Sequence, residues 1–149
     1  MRYWLFKSEP GTFSIDDLVK KPTHWDGVRN YQVRNFLRDD IKKGDRGFFY
    51  HSSCKVPGIM GTFEVIKSGY PDFTAWDSTS DHYDPTCSVD DPRWYMVDVR
   101  LIQKFNRVVT LDEIKGNPVL DKMWVARRGN RLSITPVTEK EWKTVLKLV

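Results

Sequence analysis

Cysteine and histidine are scarce in this sequence, and their scarcity excludes several kinds of metal and redox site. The chain has two cysteines and three histidines among 149 residues. Cys54 and Cys87 lie far apart and form no CxxC pair, so neither a thiol–disulfide active site nor a zinc ribbon is indicated. The HxE and PCxxC signature of zinc-dependent nucleobase deaminases is missing as well. We therefore expect no bound metal, and two reduced thiols in a cytoplasmic protein.

Phosphate-binding loops and long apolar runs are also missing. Neither GxxxxGK[ST] nor GxGxxG occurs, so the sequence predicts no nucleotide or dinucleotide cofactor. No stretch approaches the roughly 18 apolar residues of a membrane span, so we expect no membrane partner. The first ten residues, MRYWLFKSEP, are interrupted by Lys7, Glu9 and Pro10, and this pattern predicts a strand rather than a signal peptide.

A catalytic interpretation has little support from motifs. The GxSxG elbow of many hydrolases does not occur. His51 and Ser52 follow one another at a predicted strand end and could form a triad with Asp84, but a chain of this size contains these residue types by chance. A small hydrolase or nuclease that uses His51 and Asp84 is therefore an alternative hypothesis, and we expect that the protein is not an enzyme.

Aromatic residues, in contrast, are abundant, and the net charge is moderately positive. The chain has 13% aromatic residues, six of them Trp, a net charge of +4 and a pI near 9.1. This charge permits a nucleic-acid partner without requiring one. Aromatic faces are used for stacking in sites that bind bases, although a core also needs such rings. The length and the absence of linkers predict one domain over residues 1–149.

The order of predicted elements indicates an α+β fold. Strands rich in aromatic and β-branched residues are predicted at 3–7, 46–52, 58–67, 94–105 and 131–135. Helices are predicted to follow the caps Ser14, Asn30, Thr110 and Thr138 and the pair Asn117-Pro118. The segment 68–93 has the composition of a loop, and its length indicates a functional role. Locally pairing strands predict a curled mixed sheet rather than a doubly wound one.

Several residues around the strand ends have both a structural and a functional interpretation. Trp25, in the polar stretch WDGVRN, either packs on the core or forms the wall of a slot for a flat ligand. Arg29 either pairs with Asp26 or reaches a phosphate or base edge. Asn30 either caps a helix or pairs with a base. The basic segment Arg127–Arg131 (RRGNR) is either a solvated turn or a tip that grips a phosphate backbone.

These stretches together resemble the EVE domain family. The segments YWLFKSEP, WDGVRNYQVRN, FFYHSS, GIMGTFEV, YPDFTAWD and RLSITPVT occur in the order of the family and cover essentially the whole chain. The resemblance implies a PUA-like fold, a curled mixed β-barrel flanked by short helices and related to YTH domains. It also implies a non-catalytic reader of modified bases. The implied partner is nucleic acid that carries a modified base: DNA with 5-methylcytosine, its oxidised forms or N6-methyladenine is expected, and RNA is the alternative.

The resemblance also implies the site. A flipped or unpaired base would be surrounded by residues from two strand ends and the WDG block, with a lid from the long loop: Ser8, Glu9, Trp25, Asn30, His51, Ser52, Tyr83 and Asp84. Contacts to the nucleic-acid backbone are expected from Lys7, Arg29, Arg127, Arg128, Arg131 and Ser133. Thr135 departs from the family pattern and leaves the preferred base open. A sensor of free nucleobases or nucleotides would use the same pocket and is a further alternative.

Overall fold

The computed structural model describes residues 1–149 and contains one mixed sheet of six strands. The strands are β1 (Tyr3–Ser8), β2 (Thr23–His24), β3 (Arg46–His51), β4 (Gly58–Pro71), β5 (Tyr95–Thr110) and β6 (Ile134–Val137). Their order is β2-β5-β4-β3-β1-β6, and only β1 and β3 run parallel. The predicted α+β class is confirmed. The sheet is not closed into a barrel, because β2 and β6 form its two edges.

Four short α-helices begin at the predicted caps. They are α1 (Ile15–Lys20), α2 (Tyr31–Asn35), α3 (Leu111–Gly116) and α4 (Glu139–Lys147). Ser14, Thr110 and Thr138 each form a capping box, in which the side chain accepts from the third helical N–H and the side chain of that residue accepts from the cap. A π-helical turn, Phe36–Asp40, continues α2. None of these helices has the length and apolar character needed to cross a membrane.

The segment between α3 and β6 differs from the prediction. The helix expected after Asn117-Pro118 is wrong, because the Asn117 side chain accepts the N–H of Val119 at 2.8 Å and closes a turn instead. A 3-10 turn, Trp124–Ala126, follows. β6 begins three residues later than predicted, since Asn130 donates to the Trp124 carbonyl at 2.6 Å and accepts from Leu132 at 3.1 Å. These bonds hold residues 130–132 in a loop.

The sheet is covered by apolar side chains on both faces. Along β1, Trp4 and Phe6 enter one buried cluster, whereas Leu5 between them enters the other, as the alternation of a strand requires. The first cluster also contains Phe49 and Phe63, and Trp25 packs on its margin. The second cluster lies under α3 and α4 and includes Phe48, Ile114 and Trp142. The side of the molecule that carries Trp25 is therefore built on the first cluster.

Gly47 of β3 makes room for one of these rings. A Cβ atom on Gly47 would lie only 2.2 Å from the ring of Phe63. The Phe63 ring in turn stacks on Trp25, with 6.4 Å between the ring centroids and 15° between the planes. The absence of a side chain at Gly47 thus sets the position of Phe63 and, through it, of Trp25.

We expect Gly47→Ala to lower the free energy of unfolding by about 1–3 kcal/mol, because the new methyl group overpacks the Phe63 ring. The matched control is Gly116→Ala, where nothing lies within 4 Å of the added Cβ atom. This control should stay within about 0.5 kcal/mol of wild type. Urea unfolding of the three proteins measures both values, and equal stabilities of the two variants would contradict the account of Gly47.

Candidate functional site

A cavity of about 730 Å³ opens beside the end of β1. It is lined by these predicted site residues: Lys7, Ser8, Glu9, Trp25, Arg29, Asn30 and Ser133. The remaining eight lining residues were not predicted from the sequence: Thr12, Phe13, Thr23, His24, Asp26, Gly27, Val28 and His82. Only three of the 15 lining residues are hydrophobic, so the cavity is suited to a polar ligand. All of the unpredicted residues except His82 lie within or close to the segments KSEP (residues 7–10) and WDG (residues 25–27), so their position in the sequence could have indicated them.

Trp25 belongs both to the core margin and to the cavity wall. Its ring meets Phe6, Phe13 and Phe49 edge-on, at centroid distances of 5.2, 6.0 and 5.7 Å, and stacks on Phe63. The side chain is nevertheless only partly buried and lines the cavity. The two interpretations of Trp25 are therefore compatible, because core contacts hold a ring that is also open to the cavity.

A buried carboxylate fixes the loop that carries Trp25. Asp72 is fully buried and accepts from the Gly27 N–H at 2.9 Å, from Arg29 at 3.1 Å and from the Thr74 N–H at 2.9 Å. Burial alone would raise the pKa of Asp72, but the hydrogen bonds from Thr74, Gly27 and Arg29 together hold it below its ordinary value. Gly27 has a φ of +77°, which a glycine adopts without strain.

The guanidinium of Arg29 is directed to contacts within the protein. Of its two predicted interpretations, the pairing with Asp26 is wrong, because the salt bridge of Arg29 is to Asp72. Its guanidinium also donates to the His82 carbonyl at 2.6 Å and lies 5.4 Å from the ring of Trp94. With a further bond to the Val28 carbonyl, three of its five N–H donors are engaged within the protein, and the buried Asp72 carboxylate pairs its charge. These contacts favour a positioning role for Arg29 over the predicted phosphate contact.

Asp26 faces two imidazoles at the rim of the cavity. Its Oδ2 lies 3.6 Å from Nε2 of His24 and 3.7 Å from Nδ1 of His82. The His82 ring packs over Gly27, so the long loop touches the WDG turn directly. No group of His, Cys, Asp or Glu side chains is arranged to hold a metal ion. The rim is thus a contact between the loop and the cavity wall.

The remaining lining groups keep hydrogen-bonding capacity for a ligand. The side-chain oxygen Oδ1 of Asn30 caps α2 by accepting the Val33 N–H at 3.0 Å, which leaves the side-chain NH₂ group free. Ser8 donates to the Phe13 carbonyl at 2.5 Å and retains its acceptor lone pairs. Lys7 is half-buried without a carboxylate partner, and burial lowers its pKa. Glu9 is exposed at the cavity edge.

His51 and Ser52 do not line the cavity. Nε2 of His51 accepts the Ile15 N–H at 3.1 Å, and its ring packs edge-on against Phe49 at 5.6 Å. Burial lowers the pKa of His51, which favours the neutral ring that this acceptor role requires. The Ser52 N–H donates to the Ser8 carbonyl at 3.0 Å. The structure therefore gives His51 and Ser52 a supporting position behind the cavity wall.

The residues predicted as a lid lie outside the cavity lining as well. Tyr83 is exposed, and Asp84 accepts from the Trp94 indole at 2.7 Å and from the Thr86 hydroxyl at 2.6 Å. Hydrogen bonds from Thr86 and Trp94 lower the pKa of Asp84 to about 2. No hydrogen bond joins His51 to Asp84, so the triad hypothesis is wrong about their geometry.

The basic segment before β6 forms a tip near the cavity rather than part of its lining. Gly129 has a φ of +79°, as its sequence predicts, and both it and the preceding Arg128 are exposed. Arg127 lies 5.0 Å from the Trp124 ring and donates to the Lys122 carbonyl, whereas Arg128 and Arg131 project into solvent. The segment leads to Ser133, whose carbonyl accepts the backbone N–H of Lys7 at 2.8 Å.

Comparisons with known proteins agree along the whole chain. The family model of the EVE domain matches residues 2–148. Thymocyte nuclear protein 1 of Homo sapiens is 43% identical over 98% of this chain and 73% of the human protein. A crystal structure of human THYN1 in complex with 5-methylcytosine-containing DNA has a TM-score of 0.90 and 44% identity, over 99% of this chain and 97% of that one. The crystal structure of a Pseudomonas syringae protein has a TM-score of 0.94 and 44% identity, over 98% of each chain.

We expect Asp72→Asn to lower the free energy of unfolding by about 3 kcal/mol at neutral pH, because Arg29 loses its buried counter-charge. The folded-state pKa of Asp72 is depressed, so its contribution is present above the ordinary value of 3.8 and is lost as the pH falls through the lower folded value. The difference between wild type and variant should therefore shrink only below about pH 4. Urea unfolding at a series of pH values measures it.

The control for this experiment is Asp81→Asn, which removes an exposed charge from the same loop. Its effect should stay within about 0.5 kcal/mol. If Asp72→Asn is as stable as Asp81→Asn at neutral pH, the ion pair does not hold the loop.

Proposed function

The chain belongs to the EVE domain family, and on this premise we propose that it is a non-catalytic reader of modified bases in nucleic acid. The proposed ligand is DNA with 5-methylcytosine or a related modified base, rather than RNA. The human THYN1 structure supports this choice, because it is a complex with 5-methylcytosine-containing DNA. The observation that carries the proposal is Trp25, an aromatic ring held by the core and open to a polar cavity.

The cavity offers the two kinds of contact that a base needs. Its volume of about 730 Å³ lies within the range of roughly 300–1,000 Å³ that is typical of ligand pockets. Stacking of a base on an aromatic ring such as Trp25 contributes about 1–3 kcal/mol. The Glu9 carboxylate would accept from an exocyclic amine of cytosine or adenine, and the Asn30 amide would donate to a base acceptor.

A base can reach Trp25 only if it leaves its helical stack. This extraction costs a few kcal/mol in an intact duplex, and less at an unpaired or mismatched position. A methyl group adds only about 1–3 kcal/mol through apolar contact, so the hydrogen bonds to the base edge have to supply most of the discrimination between bases. We therefore propose that the protein prefers modified bases in single-stranded or weakened duplex sites.

Few cations are available to grip the phosphates. The proposed backbone contacts are Lys7 in the cavity and the exposed arginines of the segment Arg127–Arg131. The net charge of +4 is modest for a nucleic-acid-binding domain. Affinity should consequently depend on the bound base to a larger extent than on the backbone.

Two alternatives are separated from this proposal by their chemistry. The hydrolase or nuclease hypothesis loses support because His51 and Asp84 are bonded to different parts of the protein. A sensor of free nucleobases or nucleotides would use the same cavity. It would bind a free nucleoside as well as an oligonucleotide, whereas a reader gains affinity from the strand. A cytoplasmic location stays a prediction.

We expect Trp25→Leu to weaken binding of a fluorescent single-stranded oligonucleotide with one 5-methylcytosine by about tenfold, because leucine fills the core side of the site without an aromatic face. Fluorescence anisotropy at fixed salt measures the affinity, and unmodified cytosine and N6-methyladenine probes test selectivity. The matched control is Trp142→Leu, which lies in the second buried cluster and outside the cavity lining. Equal binding of all probes by wild type and Trp25→Leu would contradict the proposal.

We also expect a shallow salt dependence of binding. Replacement of Arg127, Arg128 and Arg131 by Gln should reduce affinity for modified and unmodified probes by the same factor, since phosphate contacts carry no information about the base. The slope of log affinity against log salt concentration should decrease in parallel. A loss of selectivity for the modified base in this variant would instead assign the segment to base recognition.

A further inference from the structure

An aromatic surface adjoins the cavity without forming part of its lining. Tyr31 directly follows Asn30 of the cavity wall and is 54% exposed. It stacks on Trp94, with 4.8 Å between centroids and 30° between planes, and the guanidinium of Arg34 lies 5.0 Å from its centroid. We refer to Tyr31, Trp94 and Arg34 together as the Tyr31 platform.

The Tyr31 platform is held in place by interior contacts. Trp94 is 5% exposed, and its indole N–H donates to Asp84 at 2.7 Å. The guanidinium of Arg29 lies 5.4 Å from the centroid of Trp94, so the residue that fixes the cavity loop also supports the platform. An exposed ring on such a support loses little conformational freedom when a flat ligand stacks on it.

Arg34 retains its charge for a ligand. Its guanidinium donates to the Asn35 side chain and to the Arg93 carbonyl, both at 2.8 Å, and both acceptors are neutral oxygens. The neighbouring Arg38, by contrast, is bonded twice to the Asp39 carboxylate, at 2.8 and 2.9 Å. Arg93 itself has a φ of 57°, an uncommon value for a residue with a side chain, and such residues cluster at ligand-binding sites.

A nucleotide matches this combination. A base stacks on an exposed aromatic ring, and the phosphate that follows it accepts from a guanidinium with free donors. We propose that the Tyr31 platform binds the nucleotide next to the base in the cavity, with the neighbouring base on Tyr31 and its phosphate on Arg34. This inference rests on the proposed function, because it places a strand whose modified base occupies the cavity.

Binding of two single-stranded probes tests the stacking part. Both carry one 5-methylcytosine, and in the second the nucleotides on either side of it are abasic. Tyr31→Ala should lower the affinity for the first probe by about tenfold and leave the affinity for the second unchanged, because the second probe has no neighbouring base that could stack on the ring. Tyr31→Phe, which keeps the ring, should bind both probes as wild type does.

Arg34→Gln and Arg38→Gln test the phosphate part as a matched pair on the same helical segment. Arg34→Gln should lower the slope of log affinity against log salt by about one ion, and Arg38→Gln should leave it unchanged, since Arg38 is already paired with Asp39. Melting temperatures of all variants show that they are folded.

The outcomes separate this inference from the proposed function. If wild type prefers 5-methylcytosine but Tyr31→Ala binds the first probe as tightly as wild type does, the platform inference is wrong and the reader function stands. An equal loss on both probes would also overturn the platform inference, because the effect would not depend on a neighbouring base. If wild type binds modified and unmodified probes alike, the proposed function fails, and the inference fails with it.

Discussion

The buried carboxylate of Asp72 is the contact on which the arrangement of the site depends. It accepts from the backbone of Gly27 and from Arg29 on the cavity loop, and from Thr74 in its own segment. Arg29 then bonds the carbonyl of His82 and supports the ring of Trp94. One ion pair thus joins the loop that carries Trp25 to the long segment between β4 and β5. A charge with several hydrogen bonds is required here, because an unpaired buried carboxylate would be strongly destabilising.

Trp25 links binding to the stability of the fold. The side of its ring that contacts Phe6, Phe49 and Phe63 fixes its orientation before any ligand arrives. A preorganised ring binds a flat ligand with less entropic cost than a mobile one. The same contacts explain why the position of Phe63 over Gly47 matters to the site, although neither residue lines the cavity.

Local sequence signals were sufficient for much of the fold. The caps Ser14, Asn30, Thr110 and Thr138 act through neighbours three residues away, so their helices could be predicted from short patterns. The prediction of a helix after Asn117 was wrong, because an asparagine side chain can close a turn as well as cap a helix. The site was predictable where KSEP and WDG contribute contiguous residues. The pairing of Arg29 with Asp72 and the contact of His82 with Gly27 join residues far apart in sequence, and no local pattern predicts them.

Contact between a modified base and Trp25 would be detected at the indole N–H signals of the six tryptophans. These signals can be followed by NMR during a titration with a single-stranded oligonucleotide that contains one 5-methylcytosine, and assigned by single replacements. If the base lies against the ring, the Trp25 signal shifts in proportion to binding, while the signal of Trp142, which is buried in the second cluster, stays in place. Saturable binding of the oligonucleotide with an unmoved Trp25 signal would show that the base does not contact Trp25.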